Sequence, residues 1–427
     1  MLEYPKILVI NDQSIYKNNA TGITLRSLFK SWPDECLLEF CLDSDCIEKK
    51  DKNFSECIIE SFPVQKIMRN VASNDNKKIN ISVKINSTGN VSIKKKLKNR
   101  SRRLLINVAD LSFMRISKSI YKTLKEYSPD IIYTLGASVS VMRMSVHLSE
   151  YLGIPIVLHF MDDWPHFLQD EYGLGQQYYK KQLQKWLKKC YQHSKISIAI
   201  SPQMAATYEK ETGIPHVALM NSVDVKSLFC KDIDVNEEIR FVYTGGLHLN
   251  RWQALLDIEN AIKQASEKSK LKGRLIIYTK LQDTFDIQDY FDSTITQFHD
   301  YVKHNEIKTV YENAHVLVHA ETNNPILVGF FRFSISTKIP EYLATNRPVL
   351  FYGPKEMGLS EYLLKNDCSF VANDKKQLMD NIYSFFCNYD KMKSVCTRAR
   401  DLVINQHEIG KSQELLFNTI KYACKNK

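Results

Sequence analysis

The sequence predicts an α/β protein built from two doubly wound, Rossmann-like domains. Short, near-continuous apolar runs alternate with helical stretches, which is typical of parallel sheets covered by helices on both faces. These runs fall into two series, and each series is long enough to make one sheet. The chain of 427 residues also fits two or three domains. The first series is 7–10, 131–133, 155–158 and 196–200, and the second is 241–243, 275–278, 316–318 and 348–351.

The domain boundaries follow from changes in composition along the chain. We expect an N-terminal domain over residues 1–220, a polar connection, a C-terminal domain over 239–400, and a last helix over 401–427. Four apolar residues of that helix fall on one face, which could pack back on the N-terminal domain. They are Leu415, Leu416, Ile420 and Ala423.

An insertion at about residues 45–103 interrupts the first domain and is rich in Lys, Asn and Ser. Its last ten residues, 94–103, hold seven basic and no acidic side chains. One interpretation is a solvated, mobile charge run. The other is a contact with an anionic membrane surface or a polyanionic acceptor. A nucleic-acid partner is not expected, because no nucleic-acid-binding motif accompanies the cluster.

Composition excludes several classes of protein. Hydrophobic residues make up 44% and charged residues 25%, so the chain can bury a core and is not globally disordered. The net charge of +10 suits anionic partners such as nucleotides. The ten cysteines form no C-x-x-C pair and no zinc-spaced cluster, so we expect free thiols and no metal or other cofactor. No signal peptide and no apolar run of about 18 residues is seen, which predicts a cytoplasmic protein.

The segment 11–25 follows the first apolar run and enters a helix. Gly22 would let a ligand approach the backbone at the helix entrance, where an anion is favoured. The dinucleotide motif G-x-G-x-x-G is absent, and an ordinary strand-to-helix turn is the simpler alternative.

The segment 241–251 is a stronger candidate for phosphate binding. A strand ends at Gly245 and Gly246, and Arg251 lies in the following turn or helix. Two glycines allow backbone amides to face a phosphate, and an arginine can bind it through two hydrogen bonds.

The segment 331–351 holds a third group of polar residues. Ser336 or Thr337 can cap a helix whose first turn contains Pro340. Lys338 at the entrance could meet a diphosphate, and Glu341, one turn further, could accept hydrogen bonds from a ribose diol. A local Lys338–Glu341 ion pair is the alternative.

The segment 157–165 places His159, Asp162 and Asp163 after an apolar strand, at the end that faces the crevice of an open sheet. A carboxylate here could orient or deprotonate an acceptor hydroxyl. The alternatives are a helix N-cap for one aspartate, a core role for His159, and packing for Trp164.

Together these segments resemble bacterial glycosyltransferases of family 4. The resemblance rests on 245–251, on Ser-Thr-Lys-Ile-Pro-Glu-Tyr-Leu-Ala at 336–344, on Arg-Pro-Val at 347–349, and on 11–24, 162–165 and 200–204. It spans most of the chain outside 45–103. It implies the two-domain GT-B fold, a metal-independent transfer that retains anomeric configuration, a nucleotide sugar in the C-terminal domain and an acceptor in the N-terminal one.

The resemblance also assigns residues. Glu341 matches the second glutamate of the family's E-x7-E motif, which holds the ribose. The first glutamate should fall at Phe333 and does not. Glu321 is a nearby substitute for it, unless it is a surface loop carboxylate.

The function that we expect is transfer of a sugar from a nucleoside-diphosphate sugar, with a UDP-sugar as the expected donor, to a saccharide or lipid-linked oligosaccharide. By analogy with the family, the product would be a bacterial surface polysaccharide such as capsule or O-antigen, made at the inner face of the membrane. Gly22, Gly245, Gly246, Arg251 and Lys338 would hold the departing diphosphate. The alternatives are a sugar-nucleotide epimerase or hydrolase of the same fold, or a non-catalytic scaffold.

Overall fold

The computed structural model describes residues 3–12, 14–16, 20–41, 57–58, 106–112, 116–167, 174–235, 237–303 and 306–425. Apart from 57–58, the predicted insertion and its basic end therefore lie outside the described residues. The chain divides into two compact units. The first unit comprises Met1–Leu219 and Gln413–Lys427, and the second comprises Met220–Ser412.

The first unit contains a parallel sheet whose described strands follow the order β3-β2-β1-β4-β5-β6-β7. The strands are β1 (Ile7–Asn11), β2 (Leu37–Cys41), β3 (Cys57–Ile58), β4 (Ile131–Thr134), β5 (Ile156–Phe160), β6 (Ser197–Ala199) and β7 (His216–Ala218). The helices are α1 (Ala20–Phe29), α2 (Lys118–Tyr127), α3 (Val139–Leu152), α4 (Trp164–Phe167), α5 (Leu174–Gln192) and α6 (Pro202–Thr212), with a further helical segment at 106–111.

Capping residues determine where two of these helices, α3 and α6, begin and end. The hydroxyl of Ser138 accepts from the Val141 amide at 3.3 Å at the start of α3, and Gly153 ends that helix with a φ of 66°. Helix α6 uses the same devices, because Ser201 accepts from the Met204 amide at 3.2 Å and Gly213 ends the helix with a φ of 71°.

The second unit contains a parallel sheet of order β10-β9-β8-β11-β12-β13. Its strands are β8 (Glu238–Thr244), β9 (Lys272–Tyr278), β10 (Thr296–His299), β11 (Val316–Ala320), β12 (Val349–Tyr352) and β13 (Phe370–Ala372). Its helices are α7 (Val225–Leu228), α8 (Arg251–Glu267), α9 (Ile307–Glu312), α10 (Pro325–Phe331), α11 (Lys338–Ala344), α12 (Gly358–Asn366), α13 (Lys375–Asn388) and α14 (Lys393–Gln406). The last helix, α15 (Ile409–Lys425), begins in this unit and ends in the first.

Each sheet has the doubly wound topology that the sequence predicts. In the first sheet the order reverses between β1 and β4, and in the second between β8 and β11. All described strand pairs within the two sheets are parallel, such as Phe241 beside Leu275 and Val316 beside Phe241. In an open α/β sheet, ligands bind outside the carboxyl ends of the two strands at such a reversal. The fold class is thus confirmed, and the topology locates where a site should be in each unit.

The end of the chain differs from the prediction of one helix over 401–427. Two helices, α14 and α15, are separated at His407, whose backbone is not helical. His407 is buried, and its ring nitrogens bond to Tyr362 Oη at 2.7 Å and to the carbonyl oxygen of Asn221 at 2.9 Å. Residues 401–412 therefore belong to the second unit.

The final residues pack in the core of the first unit. Leu416, Ile420 and Ala423 are fully buried in the cluster that contains Ile7 and Val9 of β1. Leu415 was expected on the same face, but it is 38% exposed because it precedes the buried position by one residue.

Candidate active site

The switch point of the second unit brings the predicted donor-site residues together. Strand β8 ends at Thr244, and β11 ends at Ala320. The chain after β8 carries Arg251, the chain after β11 carries Glu321, and these two side chains are in contact. The residues concerned come from the β8–α8 loop, the end of β11 and the start of α11.

Arg251 and Glu321 form a buried, two-bond ion pair. Arg251 Nε donates to Glu321 Oε2 at 2.9 Å, and Nη2 donates to Oε1 at 3.0 Å. The arginine side chain is 18% exposed and the glutamate side chain is 5% exposed. His319, at the end of β11, lies 3.0 Å from Glu321 Oε1 through its Nε2. Glu321 is therefore not a surface loop carboxylate. Its two oxygens hold the guanidinium through Nε and Nη2, and neither bond uses Nη1.

The backbone before Arg251 is specialised for this placement. Leu249 and Asn250 have φ angles of 63° and 62°, in the left-handed region that side-chain-bearing residues other than Asn and Asp seldom adopt. Two such residues in succession turn the chain sharply, so that α8 begins at Arg251. Strain of this kind is commonly found at functional sites.

The charges of this pair are strongly stabilised. Burial opposes ionisation of Glu321, but the hydrogen bond and charge of His319, together with Arg251, outweigh it and lower the pKa of Glu321 to about 2. Burial also opposes the charge on Arg251, and Glu321 outweighs that effect and raises the pKa of Arg251. Both groups therefore stay ionised throughout the physiological range.

Lys338 reaches the end of β8 from the start of α11. Its Nζ donates to Thr244 Oγ1 at 3.2 Å, and the same hydroxyl lies 2.8 Å from Tyr342 Oη. Burial lowers the pKa of Lys338, while the nearby charge of Glu341 acts in the opposite direction. Lys338 thus brings a partly desolvated ammonium group to the switch point, which is a suitable place for a cation that stabilises a diphosphate.

Glu341 lies in the first turn of α11, as predicted, with Pro340 before it. Its Oε2 accepts a hydrogen bond from the buried Tyr311 hydroxyl at 2.9 Å. The predicted cap of this helix needs correction. Thr337 occupies the N-cap position with a helical backbone, and its side chain makes no capping bond. Ser336 supplies only a long bond, accepting from the Lys338 amide at 3.4 Å.

The two glycines after β8 have different roles. The amide of Gly245 continues the sheet by donating to the Tyr278 carbonyl oxygen at 3.0 Å, so that amide does not face a ligand. A Cβ on Gly245 would lie 2.8 Å from the Tyr243 hydroxyl, and one on Gly246 would lie 2.3 Å from His248 Nδ1. A larger residue at either position would therefore require the Tyr243 or the His248 side chain to move. The carbonyl oxygen of Gly246 accepts from the Tyr243 hydroxyl at 2.8 Å.

Phe333, where a family glutamate was expected, is buried at 5% exposure. The guanidinium carbon of Arg332 lies 4.2 Å from the centroid of its ring. Position 333 therefore offers an apolar ring in place of a carboxylate.

A residue that the sequence analysis does not single out, Asn11, lies at the switch point of the first unit. Asn11 ends β1, is 2% exposed, and accepts from the Leu135 amide after β4 at 2.9 Å. Its Nδ2 has no hydrogen-bond partner among the described residues. The only signal in the sequence was an asparagine at the last position of an apolar strand. Gly22 lies inside α1, as its third residue, and not in an entrance loop.

The three predicted residues at the end of β5 and just after it do not form one catalytic group. His159 is fully buried and bonds to the Tyr133 hydroxyl, and burial lowers the pKa of His159 to about 3. Asp163 is 1% exposed and accepts from the Tyr208 hydroxyl at 2.7 Å. Asp162 is exposed. A fully buried histidine with so low a pKa is a weak base that an acceptor does not reach, so Asp162 is the most accessible of the three.

Trp164 packs against Phe160, with ring centroids 5.8 Å apart, which agrees with a packing role. Among the described residues, no three His, Cys, Asp or Glu side chains gather as a metal site. In that same part of the chain, the helices are too short or too polar to span a bilayer.

Comparison with known proteins shows that the fold is similar to the folds of glycosyltransferases. Anabaena HepE in complex with UDP has a TM-score of 0.64 and 11% identity, with coverage of 98% of this chain and 100% of that one. Sucrose-phosphate synthase from Thermosynechococcus elongatus has a TM-score of 0.62 and 11% identity, covering 98% and 99%. WaaG, a glycosyltransferase involved in lipopolysaccharide biosynthesis, has a TM-score of 0.57 and 10% identity, covering 96% and 98%. No protein-family model and no curated protein matches the sequence. The chain has the fold of GT-B glycosyltransferases.

Proposed function

We propose that this protein is a glycosyltransferase that moves a sugar from a nucleoside-diphosphate sugar to a hydroxyl group. The observation that carries the proposal is the cluster at the β8–β11 switch point. Arg251 and Lys338 lie close enough there for the charge of one to affect the other, and the fold is shared with proteins that were crystallised with UDP and UDP-glucose. Cations at this place are suited to a diphosphate.

The chemical task of such a site is to stabilise charge on the leaving diphosphate. As the bond to the sugar breaks, negative charge grows on the β-phosphate, and fixed donors that are desolvated stabilise that charge most. Lys338 and Arg251 Nη1 can supply those donors, while Glu321 and Thr244 hold them in place. Removing one such donor typically lowers the rate by about 10²- to 10³-fold.

We further propose that the transfer follows the pattern of family 4, retains anomeric configuration and needs no metal ion. In that scheme the leaving phosphate assists attack of the acceptor hydroxyl from the same face of the sugar. Glu341 would accept hydrogen bonds from the ribose diol, and its bond from Tyr311 fixes the carboxylate for that purpose. The reaction would need no covalent intermediate on the protein.

For the acceptor we propose a saccharide or a lipid-linked oligosaccharide, used in surface polysaccharide synthesis. The similarity of the fold to WaaG supports the acceptor class. In the first unit, the exposed Asp162 would be the carboxylate that orients the acceptor hydroxyl. We place the enzyme in the cytoplasm, with its basic segment 94–103 touching the anionic inner face of the membrane.

The deciding experiment is incubation of the purified protein with radiolabelled UDP-, GDP- and dTDP-sugars, with and without a lipid-linked acceptor extract. Transfer of label to acceptor supports the proposal, and calorimetric titration with UDP should show binding. Release of free sugar or its epimer without an acceptor would indicate a hydrolase or an epimerase. Binding without turnover on any donor would indicate a scaffold, and absence of nucleotide binding would overturn the proposal.

A further inference from the structure

The first unit contains a cavity that the proposed transfer does not use. It has a volume of about 420 Å³ and is lined by residues of helices α2, α3 and α5, together with Ser112 and Ile116. None of the site residues discussed above lines it. Its walls include Tyr121, Met144 and Trp186, which give it an apolar interior.

Cations are concentrated at one side of this cavity, around the indole ring of Trp186. Lys189 Nζ lies 4.5 Å from the ring centroid, Arg143 Cζ lies 5.7 Å away, and Lys185 Nζ lies 5.9 Å away. Arg143 and Lys189 also line the cavity. Glu150 is the acidic residue in the lining, and its Oε1 lies 3.7 Å from His193 Nε2. The charge at the indole side therefore favours an anion.

Helix α5 extends this positive charge onto the protein surface. Its 19 residues include five lysines and no acidic residue. Lys181, Lys185 and Lys188 are exposed and follow one another at helical spacing, so they share one face. Tyr178, one turn earlier on that face, is 57% exposed. Lysines beside exposed aromatic rings are typical of helices that lie at a membrane interface.

We propose that this cavity binds the phosphate headgroup of a single lipid, while the lysine face of α5 rests on the anionic surface around it. The phosphate would lie between Lys189 and Arg143, and the first apolar atoms of the lipid would contact Met144 and Trp186. A soluble phosphate would use only the cations, whereas a lipid phosphate also uses the apolar wall. The inference does not depend on sugar transfer, and it is separate from the predicted role of residues 94–103.

The test is flotation of the full chain with vesicles of phosphatidylcholine, with and without phosphatidic acid. Wild type should bind only the acidic vesicles. Lys189→Gln should lower the partition coefficient about fivefold, which is the usual contribution of one lysine at an anionic surface. Trp186→Leu should lower it as well, because it shortens the apolar wall. Lys210→Gln removes an exposed lysine of the same unit that does not line the cavity, and it serves as the matched control.

Three outcomes would overturn the inference. Equal partitioning of Lys189→Gln and Lys210→Gln would show that only net charge matters. Failure of wild type to bind acidic vesicles at low salt would exclude binding of the protein to an anionic lipid surface. Equal competition by inorganic phosphate and by short-chain phosphatidic acid would indicate a site for free phosphate. UDP titration of the same variants should be unchanged, which separates this result from success or failure of the proposed transferase.

Discussion

Replacing Glu321 with glutamine tests whether this buried carboxylate holds Arg251 in place. Glutamine keeps the shape of the side chain but loses its charge and replaces one acceptor oxygen with a donor nitrogen. The carboxylate now accepts two bonds from Arg251 and one from His319, at 2.9 to 3.0 Å. Glutamine can satisfy only part of this set, so the arginine would be left buried without its counterion.

The size of the effect follows from the pKa of Glu321. Its pKa falls from 4.5 to about 2 in the folded protein. Because the folded pKa is depressed, the stabilisation is fully present above the unfolded pKa and is lost as pH falls through the folded pKa. This lowering of the pKa corresponds to about 3 kcal/mol at pH 7, and lowering the pH to 3.5 removes almost half of it.

The assay is urea denaturation of wild type and Glu321→Gln, combined with hydrogen exchange of the amides in α8. We expect the variant to be less stable by about 3 kcal/mol at pH 7, and the difference should shrink by almost half at pH 3.5. Glu356→Gln changes an exposed carboxylate of the same unit and should have little effect at either pH. If the destabilisation by Glu321→Gln is the same at both pH values, the charge of Glu321 does not stabilise the fold and the argument fails.

Three further predictions concern the remaining site residues. Lys338→Met should lower kcat by about 10²- to 10³-fold in single-turnover measurements and change donor affinity less. An equal loss in both would indicate that Lys338 binds the donor equally well in the ground state and in the transition state. Because burial lowers the pKa of Lys338, kcat should decline as alkaline pH approaches that pKa, and Lys338→Arg should shift the decline to higher pH. Glu341→Ala should weaken UDP binding by up to about a hundredfold with the fold intact, since ribose hydrogen bonds to a charged group are lost, and unchanged calorimetric affinity would contradict the ribose role.

Much of the fold could be predicted because the central strands are buried and continuous. The apolar run 241–243 marks the middle of β8, and 7–10 gives β1 almost in full. The edge strands were missed for a physical reason. Strand β10 reads Thr-Gln-Phe-His and is half exposed, so it has no apolar run to detect.

Strand β2 was missed for another reason. It lies beside β1, yet it contains Glu39, a fully buried carboxylate that accepts from Ser14 Oγ at 2.8 Å and from the Ile15 amide at 2.7 Å. A glutamate in an apolar run does not suggest a buried strand, because its partners come from a distant loop.

The site was predictable in its location but not in its pairing. Arg251 and Lys338 could be identified as cations near strand ends, since a parallel sheet gathers those ends at one edge. The contact between Arg251 and Glu321 joins residues 70 positions apart and depends on the left-handed turn at Leu249 and Asn250. Local sequence patterns carry no information about such a contact.

The pairing changes how the two cations of the site should be understood. Arg251 is already neutralised by Glu321 at close range, whereas the Nζ of Lys338 is bonded to the uncharged hydroxyl of Thr244. For a diphosphate in the site, Lys338 would therefore be the cation whose charge is less neutralised by a neighbouring carboxylate. Arg251 would be a hydrogen-bond donor whose direction is fixed by Glu321. The first can supply charge, and the second can supply orientation. The carboxylate of Glu321 holds an arginine, whereas the family glutamate would contact the donor sugar directly. This role of Glu321 is compatible with the buried phenylalanine at position 333.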